Sequence, residues 1–429
     1  MKSARQRYLD RKGVVGPWEI AGTAGDQYSA AVVIPACDEE KWLFRTLASL
    51  AENSSEQLQR TLILVVLNQT AQASAAVTAS NRRTLQKLKN DPLNSMLQLA
   101  WIDAVSAGLE MPVGGAGAAR RLGLDRVLDR LDQTIDPILI CLDADTLVEP
   151  NYLQVLQRHF ANSPAGGAVV SFAHQQAESP QLQAAIDRYE LFLRSYVLGL
   201  QLAGSPYAFH CVGSTMSCRL SAYVGAGGMS QRPAGEDFYF LQNLARTVGV
   251  ESIYGTCVYP AARISDRVPF GTGPALSRLL ADPGCQLFYP LGAFLLLGQF
   301  LHRATHEPLR GQELQAEADL LQPVLGQFLR EQKLAMVIDR LQKNHPTQSQ
   351  FVRAFHGWFD GLKSLRLLRR LCAGRPFAMQ TAEESLPKLL QQRSLPEGKS
   401  LVRMLKILRI SQNNGSLVEK ALSRTAAFR

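Results

Sequence analysis

Four short runs free of charged side chains limit what this chain can become: Ala30–Pro35, Thr61–Leu67, Ile138–Leu142 and Ala168–Phe172. Apolar stretches this short and this rich in Val, Ile and Leu read as buried strands rather than helices. A strand that is apolar on both faces must be covered on both, which is how parallel sheets are built. The segments between them carry helical spacing instead. Trp42, Leu43, Leu47 and Leu50 recur after the first run, and Leu153, Leu156 and Phe160 after the third. An Ala/Arg/Lys-rich segment reaches Lys89, Leu97–Ile102 is expected to be a further strand, and a long helix is expected from about Gln181 to Leu202. Strands alternating with helices argue an α/β, Rossmann-like, mostly parallel sheet with right-handed crossovers, flanked by helices.

The third run ends in Asp143-Ala144-Asp145. In extended backbone, side chains two residues apart point to one side, so these carboxylates can converge on one object. They stand at the carboxyl end of a buried strand, where open α/β sheets place ligands. Hard oxygens there suit Mg²⁺ or Mn²⁺ bridged to phosphates; the other reading is two solvated acids, one capping a helix. Three more stretches have double readings. Gly114–Gly123 leads a helix whose start either packs on the sheet or, with Arg120 or Arg121, meets a diphosphate. Glu236 and Asp237 enter a helix after Gly235, either as dipole-compensating acids or as a general-base site. Ser265–Gly273, with Arg267, is either a loop over a diphosphate or a linker.

At 429 residues the chain is expected to hold two domains. Its formal charge of +9 is unevenly spread: residues 275–429 carry 22 Lys and Arg against 12 Asp and Glu. That region lacks strand patterning and is read as all-α. Leu362, Leu365, Leu368 and Leu371 interleave with Lys363, Arg366, Arg369 and Arg370, and the pattern returns at 401–409. Such helices either lie on anionic membranes or are bundle members with solvated basic faces. No module pattern or aromatic interleaving points to nucleic acid. The polar N-terminus has no apolar core of a signal peptide, the apolar stretch at 287–301 is broken by Pro290 and Gly292, and seven Cys form no C-x-x-C pair. The expectation is a cytoplasmic protein with reduced thiols, peripheral to the inner membrane face if its basic helices dock there.

In order, Val33–Glu40, Leu142–Asp145 followed by Val148–Leu153, Gly213–Met216 running on to Gly227-Gly228-Met229, and Gly235-Glu236-Asp237 resemble the motifs of the GT-A nucleotide-sugar glycosyltransferases, specifically glycosyltransferase family 2. The resemblance covers residues 30–275, taken as the catalytic domain between a lead-in (1–29) and a basic helical domain (276–429). It implies transfer of a sugar from a nucleoside diphosphate sugar to an acceptor hydroxyl, with Mg²⁺ or Mn²⁺. By the same resemblance Asp145 ligates the metal, and Asp143 touches the ribose or a metal-bound water. Asp237 is the base, with Glu236 in support, and displacement inverts the anomeric carbon. Pro35, Cys37, Asp38, Glu40, Asn68, Arg120, Asp143, Ala144, Gly213, Ser214 and Arg267 fall to the nucleotide sugar. The chain departs from the family at Asn68-Gln69-Thr70, where acids are usual, and no third metal ligand stands out beyond Asp266 or His210. Retaining relatives that make glucosyl- or mannosyl-glycerates share the Asp pair, and a non-catalytic scaffold docking through the basic helices is the remaining alternative.

Overall fold

The computed structural model describes residues 2–230, 235–265, 271–396 and 398–413. The chain divides into two compact units, residues 1–183 with 211–277 and residues 184–210 with 278–429.

The first unit is built on a nine-stranded sheet in the order β1-β4-β3-β2-β5-β8-β7-β9-β6. Its strands are β1 (Ile20–Gly22), β2 (Ala30–Ala36), β3 (Thr61–Asn68), β4 (Gln98–Ala104), β5 (Ile138–Cys141), β6 (Thr146–Val148), β7 (Gly167–Phe172), β8 (Met216–Arg219) and β9 (Val250–Pro260). The neighbours β4, β3, β2 and β5 run parallel. These are the apolar runs of the sequence, and every residue of β2, β3 and β5 is buried. Beyond β5 the sheet turns mixed: β8 lies antiparallel between β5 and β7, β9 runs parallel to β7, and β6 closes the edge antiparallel to β9. Helix Ala116–Val127 packs on β2 and β3. Gly123 makes this possible, since a Cβ there would lie 2.4 Å from Val33 Cγ1 and 2.8 Å from Val66 Cγ2.

The lead-in, residues 2–29, packs within this unit. Tyr8 and Trp18 are buried, and β1 pairs with β4. Tyr8, on helix Ala4–Lys12, and Tyr223 both donate to Asp125 Oδ1 at 2.7 Å. Two aromatic side chains carrying a polar tip thus bury their rings while satisfying their hydroxyls on one carboxylate.

The second unit is helical. The expected helix at 181–202 forms as Pro180–Leu202, and from Ala184 it belongs with the C-terminal helices. The Leu-rich segments break into shorter helices, among them Gly311–Leu321, Pro323–Glu331, Leu334–Asn344, Gln348–Trp358, Gly361–Leu371 and Leu401–Asn413. Phe294, Phe300, Phe355 and Phe359 are fully enclosed in its core. The basic helix Gly361–Leu371 turns Leu367, Leu368 and Leu371 into that core, so its apolar face is already covered by protein. One charged cluster is also enclosed. Glu190 receives Arg194 Nε at 2.7 Å and both Arg409 Nε and Nη2 at 2.7 Å. Among the described residues no helix is long and apolar enough to cross a membrane.

Candidate active site

Pro35, Cys37, Asp38, Asn68, Asp143 and Asp145 lie at or just beyond the carboxyl ends of β2, β3 and β5, and the backbone there is tied down by side-chain amides. Asn68, the last residue of β3, donates through Nδ2 to the carbonyls of Ala36 (3.1 Å) and Val66 (3.2 Å). Gln69 donates to the Val105 carbonyl at 3.0 Å and accepts from Asn81 Nδ2 at 3.0 Å, while Asn81 Oδ1 receives the Asp38 N–H at 2.8 Å. Asn68 and Gln69 are buried, so neutral amides stand where a buried unpaired acid would be costly. Asp38 adopts a left-handed conformation with φ 57°. The next two residues then diverge. Glu40 pairs with Arg83 at 2.8 Å, whereas Glu39 is buried. Pro35 is buried in β2, and Cys37 is half-buried beyond its end.

Asp143-Ala144-Asp145 does not continue β5. The strand stops at Cys141, and a turn closed by Thr146 N–H to Asp143 carbonyl (3.1 Å) leads into β6. Thr46 Oγ1 donates to the Ala144 carbonyl at 2.9 Å, and Gln175 Nε2 to the Asp145 carbonyl at 2.9 Å. The two-residue alternation of extended backbone is therefore lost, and the carboxylates go to different partners. Asp143 pairs with Arg120, and Asp145 Oδ2 accepts from Arg263 Nε at 2.7 Å.

Arg120 is the centre of one pair of contacts. Its guanidinium is bound by both Asp143 and Glu236, and its side chain is only 4% exposed. A buried cation holds to its carboxylates because leaving it unpaired is expensive. Gly213 makes room for it, since a Cβ there would stand 2.3 Å from Arg120 Nη2. Ser214, next to it, is fully buried. Arg121 instead donates to the carbonyl of Met229 at 2.9 Å.

Asp237 lies in the first turn of helix Glu236–Thr247, behind Gly235 at φ 73°. Its carboxyl is pushed up to about 6, first by burial and then by the charge of Glu236, with Arg120 pulling the other way. Its Oδ1 accepts its neighbour Phe238 N–H at 2.7 Å. Arg267 and Asp266 lie outside the described residues. His210 falls in the helical unit, where its ring Nε2 meets Gln412 Oε1 at 3.1 Å.

Sequence reasoning missed Arg263 and the inward role of Glu39. Arg263 follows β9, a strand whose alternating pattern was itself overlooked, and nothing local marks it. It binds Asp145 and Glu39 together, and its guanidinium lies 5.3 Å from the Trp42 ring centroid.

The donor set fits a divalent ion. Four carboxylates pair with two guanidiniums, Asp143 and Glu236 with Arg120 and Glu39 and Asp145 with Arg263, and Asp237 adds a fifth acid within reach of the Arg120 charge. A diphosphate would add to that negative surplus, which favours a cation. Among the described residues no group of three or more His, Cys, Asp or Glu side chains could hold a metal ion. Asp143 and Asp145 offer hard oxygens of the kind Mg²⁺ takes one or two at a time beside substrate phosphates.

Residues 109–223 match the family model described as glycosyl transferase family 2. That segment carries Arg120, Asp143, Asp145 and Gly213. The match thus falls on the part of the sheet that carries the site, and likens that segment to a glycosyl transferase of family 2. The match spans about a quarter of the chain, most of it in the first unit. Among solved structures, the chain is similar to residues 1–349 of S. aureus TarS in complex with UDP-GlcNAc, with 12% identity, 91% of this chain and 92% of that chain covered, and TM-score 0.37. It is also similar to the mannosyltransferase PcManGT from Pyrobaculum calidifontis in complex with GDP-Man and Mn²⁺, with 15% identity, coverage of 95% and 92%, and TM-score 0.37. No curated protein matches the chain by sequence.

Proposed function

We propose that this protein transfers a sugar from a nucleoside diphosphate sugar to an acceptor hydroxyl by direct displacement, with Asp237 as the base. The observation that carries this is the Arg120 bridge, which joins the Asp143 turn to the Glu236 helix start. A donor-side acid and an acceptor-side acid are thereby locked together. Asp145 and Asp143 would hold a divalent ion, Mg²⁺ or Mn²⁺, which when bound neutralises charge on the departing diphosphate.

Asp237 takes the proton of the acceptor hydroxyl. The acceptor oxygen bonds to the anomeric carbon as the carbon–oxygen bond to the diphosphate breaks, its electron pair leaving with the nucleoside diphosphate. A base near pH 6 is charged at neutral pH yet still basic enough to accept a proton. Glu236, paired with Arg120, sits beside Asp237 and helps to raise its basicity.

The test is the stereochemistry of the product, read by NMR, together with Asp237→Asn. Inversion, with turnover reduced by roughly 10²–10⁴ in the variant and donor binding retained, is the expected result. A retained anomeric configuration sinks the displacement mechanism, and unchanged turnover removes Asp237 as base.

A further inference from the structure

Arg263 bridges two carboxylates from distant parts of the chain. Its Nε donates to Asp145 Oδ2 at 2.7 Å, and its Nη2 binds Glu39. Its guanidinium lies against Trp42. Lys41 and Arg45 also lie against that ring, at 4.8 and 5.3 Å, but Lys41 pairs with Glu178 and Arg45 reaches Gln175. Arg263, by contrast, meets Asp145. Its side chain is 19% exposed and that of Asp145 18%, so the pair is reachable from solvent.

A divalent ion arriving alone at Asp145 must compete with this guanidinium for the carboxylate. A diphosphate changes the balance, because a guanidinium fork matches phosphate oxygens as well as it matches a carboxylate. We propose that Arg263 is the resident counter-ion of Asp145 and makes divalent-ion and diphosphate binding interdependent. The diphosphate takes over the guanidinium as the ion takes over the carboxylate. This rests on the donor-site reading above and adds to it that neither ligand is held well alone. Linkage requires each to tighten the other by the same factor.

The test is direct binding rather than turnover. Free Mn²⁺ is followed by electron paramagnetic resonance, with and without UDP or GDP, for the full chain and for Arg263→Gln. In the native protein Mn²⁺ alone is expected to bind weakly and to tighten roughly 5–150-fold with nucleotide, the usual span of such coupling. In Arg263→Gln the two affinities should move in opposite directions, Mn²⁺ alone tightening while nucleotide at saturating Mn²⁺ weakens. Arg263→Lys, which keeps the charge but cannot fork across Asp145 and Glu39, should fall between the two, and it carries the test if the Gln variant does not fold. General damage to the site would weaken both ligands together. That result, or an unchanged coupling factor, overturns the proposal. If the native protein binds neither nucleotide with Mn²⁺, the donor-site reading itself fails.

Discussion

Gly213→Ala isolates the Arg120 bridge with a single methyl group. Gly213 does not require a left-handed backbone, so strain in φ does not enter. The added Cβ would lie 2.3 Å from Arg120 Nη2, 2.9 Å from Cζ and 3.0 Å from Nη1, against an ordinary contact of at least 3.4 Å. The guanidinium must therefore retreat by about an ångström, enough to take a charge-assisted hydrogen bond out of range. It has little space to do so, being 4% exposed and held from two sides. Overpacking alone costs about 1–3 kcal/mol, and breaking a buried pair by about 3–5 kcal/mol. With partial relaxation, a loss of about 3 kcal/mol is expected, which is roughly 6–12 °C in melting temperature for a unit of this size. Denaturant melts of the full chain, with Gly225→Ala as control, would measure it. A Cβ at Gly225, in helix Leu220–Ala226, meets nothing within 4 Å, so that variant should gain up to about 1 kcal/mol by helix propensity. Equal stability of Gly213→Ala and the native protein would refute the claim that Arg120 is confined.

Asp237, with its carboxyl raised to about 6, should give a kcat/KM that climbs through pH 6 and levels above it, and Asp237→Asn should erase that limb. The raised value also means that its contribution to stability is full below the unfolded value and is lost as pH rises through about 6. Melts at pH 7.5 should accordingly find Asp237→Asn more stable than the native chain, an advantage that vanishes near pH 4. In the helical unit, Glu190→Leu would remove the buried carboxylate that Arg194 and Arg409 share, and urea unfolding should register a loss of about 3–5 kcal/mol.

The parallel part of the fold was legible because β2, β3 and β5 are apolar on both faces, which leaves no helical alternative. What was hidden followed from longer-range contacts. β6 is three residues long and exists because β9 pairs with it, and β9 alternates exposure in a way that resembles a surface loop. The Asp143–Asp145 motif was visible, but its geometry was not, since a turn rather than a strand carries it. Arg120 was seen as a cation near an anion site, yet no local pattern reveals that its anions are the protein's own. Arg263 was invisible for the same reason in stronger form, being separated from Glu39 by 224 residues. Asn68 and Gln69 looked like a gap in the family pattern, whereas their amides stitch the strand ends together.

The helical unit is assembled from two stretches of chain separated by residues 211–277 of the other unit. During synthesis, helix Pro180–Leu202 emerges long before the residues that cover its apolar side and pair its buried Glu190 and Arg194. At about 5–20 residues per second, it waits on the order of 10–40 s for Arg409 to appear. Over that interval the nascent protein carries an uncovered stripe that a chaperone could recognise. A cut after residue 277 would make the exposure permanent, so a shortened catalytic half is expected to aggregate unless 184–210 is redesigned with it.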